Sequence, residues 1–561
     1  MTDGEIRSGG EHVYEALVAA GVDLLVGLPG TQTLPLDRVV AARDDMDYVM
    51  ARHETAIPHV AWGYYEATGR PAATLTVPGP GETNAMHGLK NALNDCVPVI
   101  HVTGDAAPEQ RGKGPIHEIA PDTYDNVVKE NVVVESRREL PAAVARGIEL
   151  ALTPPYGPVR LGVPSDFLAD EFAAPAATVE PERVTRDYSD ALEAAAEIIV
   201  DARRPVIYAG GGVVRSETGA STVRALAVEL DAGVITTYNS KGVFPEEHPQ
   251  FLGVAGGSLP PGARRALDRS DAVLALGTDL DGLSTGNWAL PLGDRLIHVT
   301  LDPADLDAGY EADVGIVADA GEAAGELRRL LAERTPPADR WDAATVGTAV
   351  REEYRDHLRA SGLLTATEDG LHTPALLRTV RESISDDTIV TTDIGGFRLW
   401  AMQAFPVAQP EEMVSAGSWA GMGVGLPGAI GAKLAEPDRP VVCLSGDGGL
   451  LMCIHELATA AEEGLDIVLV VANNSDYGII SKKPQIRDVV EDHAFTWQSP
   501  DFPAIAEGFG WCGVSVADSA RFERAISDAL DRERPTLIDV DVPTGEPAAS
   551  EAADFDTGLS F

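Results

Sequence analysis

The chain predicts an α/β fold of three domains, each a parallel sheet flanked by helices, with a Rossmann-like domain in the middle. Three observations carry this expectation. The 561 residues exceed what a single hydrophobic core usually holds. Short apolar runs ending in Gly-rich or polar turns alternate with helix-like segments along most of the length. Towards the C-terminal end, two such runs finish in Gly446-Asp447-Gly448 and Asn473-Asn474. A helix-like stretch, Leu450 to Gly464, lies between them, so the two tips should be neighbouring strand ends of one parallel sheet.

The elements follow in order. Glu11 to Ala20 is amphipathic, Leu24 to Gly27 is a short apolar strand, and Pro29-Gly30 breaks it. Pro71 to Val77 and Val97 to Thr103 read as further strands of a first domain, residues 1–173. Pro175 to Arg186 mixes Pro, Ala and charge as a linker would. A second domain, residues 187–334, starts with the strand Pro205 to Ala209 running into Gly210-Gly211-Gly212, and adds Asp271 to Gly277 and Arg295 to Leu301. The helix Glu322 to Glu333 closes it before the linker Arg334-Thr335-Pro336-Pro337. The third domain, residues 360–545, repeats the βα plan, as an old duplication of the first would. Residues 546–561 read as an acidic tail that adds little to any core.

Composition bounds the environment. Against 88 acidic residues stand 43 basic ones, giving a net charge of −45. That excess repels polyanions, which argues against nucleic acid and anionic membranes as partners. The acids are spread along the chain, so a solvated halophilic surface in a salt-rich cytoplasm is the expectation. The polar N-terminus and the absence of a bilayer-length apolar run agree with a soluble cytoplasmic protein. Cys96, Cys443, Cys453 and Cys512 lack metal-type or redox-type spacing and read as free thiols.

Chemistry enters at the two run-ends. Asp447 offers a carboxylate and Asn474 an amide oxygen, ligands that a hard divalent cation completes with diphosphate oxygens. Backbone N–H groups around Gly446, Gly448 and Gly449 can face an anion. Such ligands sit outside the carboxyl ends of open α/β sheets. A lone Gly-Asp-Gly is an ordinary turn. Here 24 residues separate Gly448 from Asn473, with strand, helix and strand in order.

That arrangement, continued by Asp476-Tyr477-Gly478, resembles the signature of thiamine-diphosphate-dependent enzymes and their thiamine-diphosphate-binding fold. The resemblance implies Mg²⁺ ligation by Asp447, Asn474 and the backbone carbonyl of Asp476, with Tyr477 and Gly478 beside the cofactor. Arg52-His53-Glu54 resembles the catalytic-glutamate segment of acetolactate synthases, although an isolated Glu54 would be read as a surface acid. In that role a carboxyl at the pyrimidine nitrogen promotes the tautomer that activates the cofactor, and burial would raise its pKa. Val26-Gly27-Leu28-Pro29-Gly30 and the loop Val77-Pro78-Gly79-Pro80-Gly81-Glu82-Thr83-Asn84 resemble two turns near the cofactor. Pro29, Gly30, Gly79, Gly81 and Asn84 are accordingly candidate contacts. Gly421-Met422-Gly423 lies where the family carries an apolar wedge beneath the cofactor, Met422 being 25 residues before Asp447. Ala416 to Trp419 should follow the cofactor's path.

The resemblance spans nearly the whole chain and is strongest to the acetolactate synthase large subunit, an enzyme of branched-chain amino-acid biosynthesis. It implies a homodimer or homotetramer with the cofactor between first and third domains of different chains, and leaves a regulatory subunit open. Pro205 to Gly212 is similar to the segment that supports FAD there, but Gly277-Thr278-Asp279-Leu280-Asp281-Gly282 lacks the Arg of the next FAD-lining segment, which leaves FAD open. Thr31-Gln32 narrows the pocket and makes it polar. Lys482 and Lys483 are either holders of an anionic substrate group or solvated lysines, and Lys129 falls where the family has an entrance lysine. Asn94-Asp95-Cys96 lacks the His relay of simple 2-keto acid decarboxylases. The expected function is therefore decarboxylation of a small 2-keto acid followed by carboligation. The alternatives are a decarboxylase or lyase, a flavin-dependent oxidase, or a non-catalytic binder of the cofactor.

Overall fold

Strands of three to seven residues build three six-stranded parallel sheets in the computed structural model, which describes residues 6–174, 178–181, 187–368, 370–483, 486 and 495–559. The expected linker Pro175–Arg186 falls largely, and Pro484-Gln485 wholly, outside those residues. In the first sheet the strands are β1 (Leu24–Gly27), β2 (Asp47–Met50), β3 (Ala72–Thr76), β4 (Val99–Asp105), β5 (Glu130–Val133) and β6 (Val159–Pro164). Their spatial order is β2-β1-β3-β4-β6-β5. Helices α1 (Ala56–Thr68) and α2 (Pro80–Asn94) follow β2 and β3. Central strands such as β1, β3 and β4 are buried along their whole length, which is why they read as unbroken apolar runs rather than alternating ones.

The middle sheet consists of β7 (Pro205–Ala209), β8 (Gly233–Thr236), β9 (Phe251–Val254), β10 (Ala272–Leu276), β11 (Leu296–Thr300) and β12 (Val314–Val317), in the order β9-β8-β7-β10-β11-β12. The order reverses between β7 and β10, the doubly wound Rossmann-like arrangement expected of this unit. Helix α3 (Ala320–Leu331) covers one face. Helix α4 (Ala343–Ala360) packs on β9, so this layer continues beyond residue 334, where the sequence suggested a linker.

The third sheet is β13 (Ile389–Thr392), β14 (Met413–Ser415), β15 (Val441–Gly446), β16 (Val468–Asn473), β17 (Cys512–Val516) and β18 (Thr536–Asp541), in the order β14-β13-β15-β16-β18-β17. Renumbered from its own first strand, this order is the same as in the first sheet, which supports the shared plan of the two units. Its helices are α5 (Thr373–Ser383), α6 (Gly396–Ala404), α7 (Gly425–Ala435), α8 (Asp447–Cys453) and α9 (Leu457–Glu462). α1 and α7 cross at backbone contact: a Cβ on Gly63 would lie 2.2 Å from the Gly428 carbonyl oxygen, and one on Gly431 would lie 2.0 Å from that of Val60. The first and third units share one apolar core, in which Val60 and Trp62 meet Leu426, Ile430 and Leu450.

Two expectations are corrected. The single helix Leu450 to Gly464 starts earlier, at Asp447, and breaks into α8 and α9 at a 3₁₀ turn, Ile454–Glu456. The acidic tail does add to the core. Ala549 and Ala552 are buried in it, and Glu546 accepts hydrogen bonds from the Thr373 amide and, at 2.7 Å, from the Thr373 hydroxyl at the start of α5. No helix among the described residues is long and apolar enough to cross a membrane. Because Glu546→Ala strands two buried donors, it should lower the unfolding free energy by roughly 2 kcal/mol, read as a lower urea midpoint. An unchanged midpoint would return the tail to the status of an appendage.

Candidate active site

Parallel register sets the first half of the site. Gly446 of β15 lies opposite Ala472 of β16, so Asp447 and Asn473-Asn474 leave neighbouring strands at the same level. Neighbouring strands sit about 4.8 Å apart. Asp447 opens α8 and is buried. Burial pushes its carboxyl up to about 6. The groups that pull it back down are hydrogen-bond donors, namely the Gly448 and Ser475 amides and the Ser499 hydroxyl, and no cation among the described residues joins them. Ser499 Oγ stands 3.2 Å from Asp447 Oδ2, 2.9 Å from Asn473 Oδ1 and 2.9 Å from Ser475 Oγ. Asn473 is tied back to the sheet by donating to Asp539 at 3.0 Å. Asn474 faces the turn, and its Oδ1 accepts from the Asp476 amide at 3.2 Å.

The remaining candidates of this half gather here. A Cβ on Gly448 would lie 2.6 Å from the Tyr477 ring, which tilts against Trp497 at 4.7 Å between centroids. One on Gly478 would lie 3.2 Å from Asn474 Nδ2. Gly449 packs against Asp393, a residue the sequence reading passed over. Fully buried at the end of β13, Asp393 accepts from the amides of Gly423 at 2.9 Å and Gly425 at 3.3 Å. It thereby fixes the turn that carries Met422, which is half-buried beside the shared core. Gly421 abuts the His87 ring, and His87 accepts from Trp419 Nε1 at 3.2 Å.

The second half forms around Glu54, at the loop between β2 and α1. Asn84 of α2 donates to Glu54 Oε2 at 3.0 Å, and a Cβ on Gly81 would lie 3.5 Å from its Oε1. Gly79 adopts φ +64 within 2.6 Å (from its would-be Cβ) of the His117 carbonyl oxygen, a conformation and a space that both require glycine. Gly30, after Pro29, would meet Val77 at 2.2 Å, so the two Pro-Gly turns pack on each other. Gln32 reaches the His117 ring at 3.4 Å. The segment before Glu54 is held from the third unit. Glu456, fully buried at the break between α8 and α9, accepts from the amides of Arg52 and His53, both at 3.1 Å. That clamp explains why the helix breaks there.

Asp95 joins all three units. Its carboxyl accepts from Trp62 Nε1, Asn239 Nδ2 and the Gly417 amide, each at 3.0 Å, and burial pushes it up to about 7. Two lysines have structural duties. Lys129 donates to the carbonyls of Leu150, Thr153 and Pro155 while lining the cavity of the middle unit, and Lys482 binds the Glu546 carbonyl. In the middle unit the Gly212 amide donates to the Gly277 carbonyl at 2.8 Å. Arg215 is spent on Glu66 and on the carbonyls of Asp95 and Cys96. Asp279, Asp281, Asp302, Asp305 and Asp319 line the crevice there, a cavity of about 720 Å³.

Three stretches of the chain match family models. Residues 7–125 match the N-terminal TPP binding domain of thiamine pyrophosphate enzymes, residues 192–327 their central domain, and residues 393–540 their C-terminal TPP binding domain. The chain is 31% identical to the acetolactate synthase large subunit of Parasynechococcus marenigrum over 96% of this chain and 88% of that protein. It is 29% identical to the acetolactate synthase isozyme 1 large subunit of Escherichia coli, over 96% and 94%. A probable acetolactate synthase large subunit of Methanocaldococcus jannaschii is 28% identical, over 96% and 92%.

Two outcomes test the geometry. Glu456→Ala should speed amide exchange at Arg52 and His53 and cost about 1–3 kcal/mol, whereas removing the exposed partner Glu462 of Arg52 should cost under about 1 kcal/mol. Asp447 binds its proton more tightly folded than unfolded, so it lowers stability as pH rises from its ordinary 3.8 to about 6. Relative to Asp447→Asn, the metal-free protein should lose at most about 3 kcal/mol across that window, read by denaturant unfolding.

Proposed function

From its membership of the thiamine pyrophosphate enzyme family, in the branch of the acetolactate synthase large subunits, we propose that this chain decarboxylates a small 2-keto acid and joins the remaining fragment to a second carbonyl compound. The observation that carries the reading is the convergence of Asp447 and Asn474 at adjacent strand ends. There a buried carboxyl with no cationic partner among the described residues suits a divalent cation and a diphosphate. Asp447, Asn474 and the Asp476 carbonyl would hold Mg²⁺, with Gly446, Gly448, Gly449, Tyr477 and Gly478 around the diphosphate. Thiamine diphosphate supplies a nucleophilic carbon that accepts the keto acid and stabilises the charge left when CO₂ departs.

The chain's own residues prepare that chemistry. Glu54, oriented by Asn84 and kept in place by the Glu456 clamp, presents a carboxyl that holds a proton at the cofactor's pyrimidine nitrogen. Met422, on the turn pinned by Asp393, would lie beneath the cofactor and help position it. Pro29, Gly30, Gly79 and Gly81 let the backbone come close, and Gln32 gives the pocket a polar wall. Asn94-Asp95-Cys96 puts no proton-donating His there, which favours carboligation over release of a free aldehyde. FAD is not part of this reading. The Gly212 amide and Arg215 are committed within the protein, and the six aspartates of the crevice outnumber its cations Lys90, Lys129 and Arg215, an excess that disfavours a dinucleotide's diphosphate.

We further read the protein as a homodimer or homotetramer whose site combines two chains, as a possible partner of a regulatory subunit in view of its relatives' names, and as adapted to concentrated salt in a cytoplasm. A panel of 2-keto acids with Mg²⁺ and thiamine diphosphate in molar KCl, followed by CO₂ release and product identification, tests the activity. A carboligated hydroxy-keto acid is the expected product, and aldehyde alone would refute the carboligation. Glu54→Gln should lower turnover by about 10²–10⁴-fold with cofactor binding retained. Full activity in that variant would remove Glu54 from its role.

A further inference from the structure

A second cavity, of about 390 Å³, lies between α4, α5 and the end of α6, and shares no residue with the site above. Five of the chain's 43 basic residues line it, Arg351, Arg355, Arg359, Arg378 and Arg381, in a protein of net charge −45. Helical spacing explains the convergence. Arg351, Tyr354, Arg355, Leu358 and Arg359 recur on one face of α4, and Arg378 and Arg381 on the facing side of α5.

Two features point to an occupant. Tyr354 is 4% exposed, and its hydroxyl has no hydrogen-bond partner among the described residues, so it can give its proton to a group bound in the cavity. Arg381 is engaged by Asp386 and by buried Glu412, whereas the other four guanidinium groups have no buried carboxylate partner among the described residues. Arg351 is satisfied by the carbonyls of His248 and Phe251 and carries a charge with no carboxylate hydrogen-bonded to it. Arg378 stands 3.8 Å from Glu382, beyond hydrogen-bond length, and Arg355 and Arg359 pair with the exposed carboxylates of Glu247 and Asp356. Exposed pairs of this kind hold weakly and yield to a better-placed anion. Of the acids in the lining, Glu246 is neutralised by buried Lys241 at 2.6 Å. Phe251, Leu252, Val350, Leu358, Pro374 and Met402 supply an apolar wall.

We propose that this cavity binds a small organic anion, a carboxylate with an aliphatic body, between the middle and third units. Arg378 and Arg355 take the carboxylate as guanidinium groups do, through paired N–H donors, and Tyr354 gives its hydroxyl proton to the same group. The aliphatic part covers the apolar wall.

Calorimetric titration of the full chain, loaded with Mg²⁺ and thiamine diphosphate at constant ionic strength, uses hexanoate as the probe and hexanol and inorganic phosphate as controls. Hexanoate should bind saturably, one per chain, and more tightly than either control. Arg378→Met should weaken it about 10–100-fold and Tyr354→Phe about 2–10-fold, by the loss of a charged and a neutral hydrogen bond. Turnover without hexanoate should stay within about twofold of the parent in both variants, since neither residue touches the reacting groups. Absence of saturable hexanoate binding, or unchanged affinity in both variants, would overturn the proposal. Hexanol binding as tightly would reduce the site to an apolar hole, and phosphate binding as tightly would remove the aliphatic body; each outcome contradicts it.

Discussion

A buried carboxyl at the end of β15, paired with hydroxyl and amide donors but with no cation among the described residues, is the constraint around which the third unit is arranged. Such a group is expensive to keep ionised, and a divalent cation removes the expense. Its position is set by sheet register, because β15 and β16 leave the sheet at the same level. Ser499, Asn473 and Asp539 extend the arrangement across the next strand. The proposed cofactor site therefore rests on an ordinary property of parallel sheets, namely that loops following adjacent strands converge.

The two outer units have the same strand order and meet through α1 and α7, whose backbones touch at Gly63, Gly428 and Gly431. This contact makes the first and third units one core rather than two domains on a hinge. It also explains how a segment far upstream in sequence can be tuned from the third unit. The clamp from Glu456 to Arg52 and His53 sits at the edge of this shared core, directly before Glu54. Asp95 plays a comparable part, linking α1, the middle unit and the Gly417 backbone through one carboxyl.

Much of this was legible in the sequence, for physical reasons that also mark its limit. Fully buried strands such as β3 and β15 leave unbroken apolar runs, and the turns after them need Gly, Asp or Asn, so strand ends and the Gly446-Asp447-Gly448 and Asn473-Asn474 tips stand out. Partners distant in sequence leave no such trace. Glu456 and Asp393 look like any acid until the chain folds, and the 3₁₀ break at Ile454–Glu456 occurs inside a run with good helical spacing. The tail misled because its charge is conspicuous, whereas its contribution comes from two small alanines, Phe555 stacked on His357, Leu559 and one capping glutamate. Lys129 stood out by its position in a family pattern, but the three local carbonyls that its ammonium satisfies appear only in the fold.

Electron paramagnetic resonance of Mn²⁺ in place of Mg²⁺ tests the central claim most directly. In the parent protein, thiamine diphosphate should raise Mn²⁺ affinity and shift the ion from its free spectrum to a bound one. Asp447→Asn should abolish that coupling while the fold persists. A bound spectrum of equal affinity in the variant would contradict the account, because the ion would then be held elsewhere.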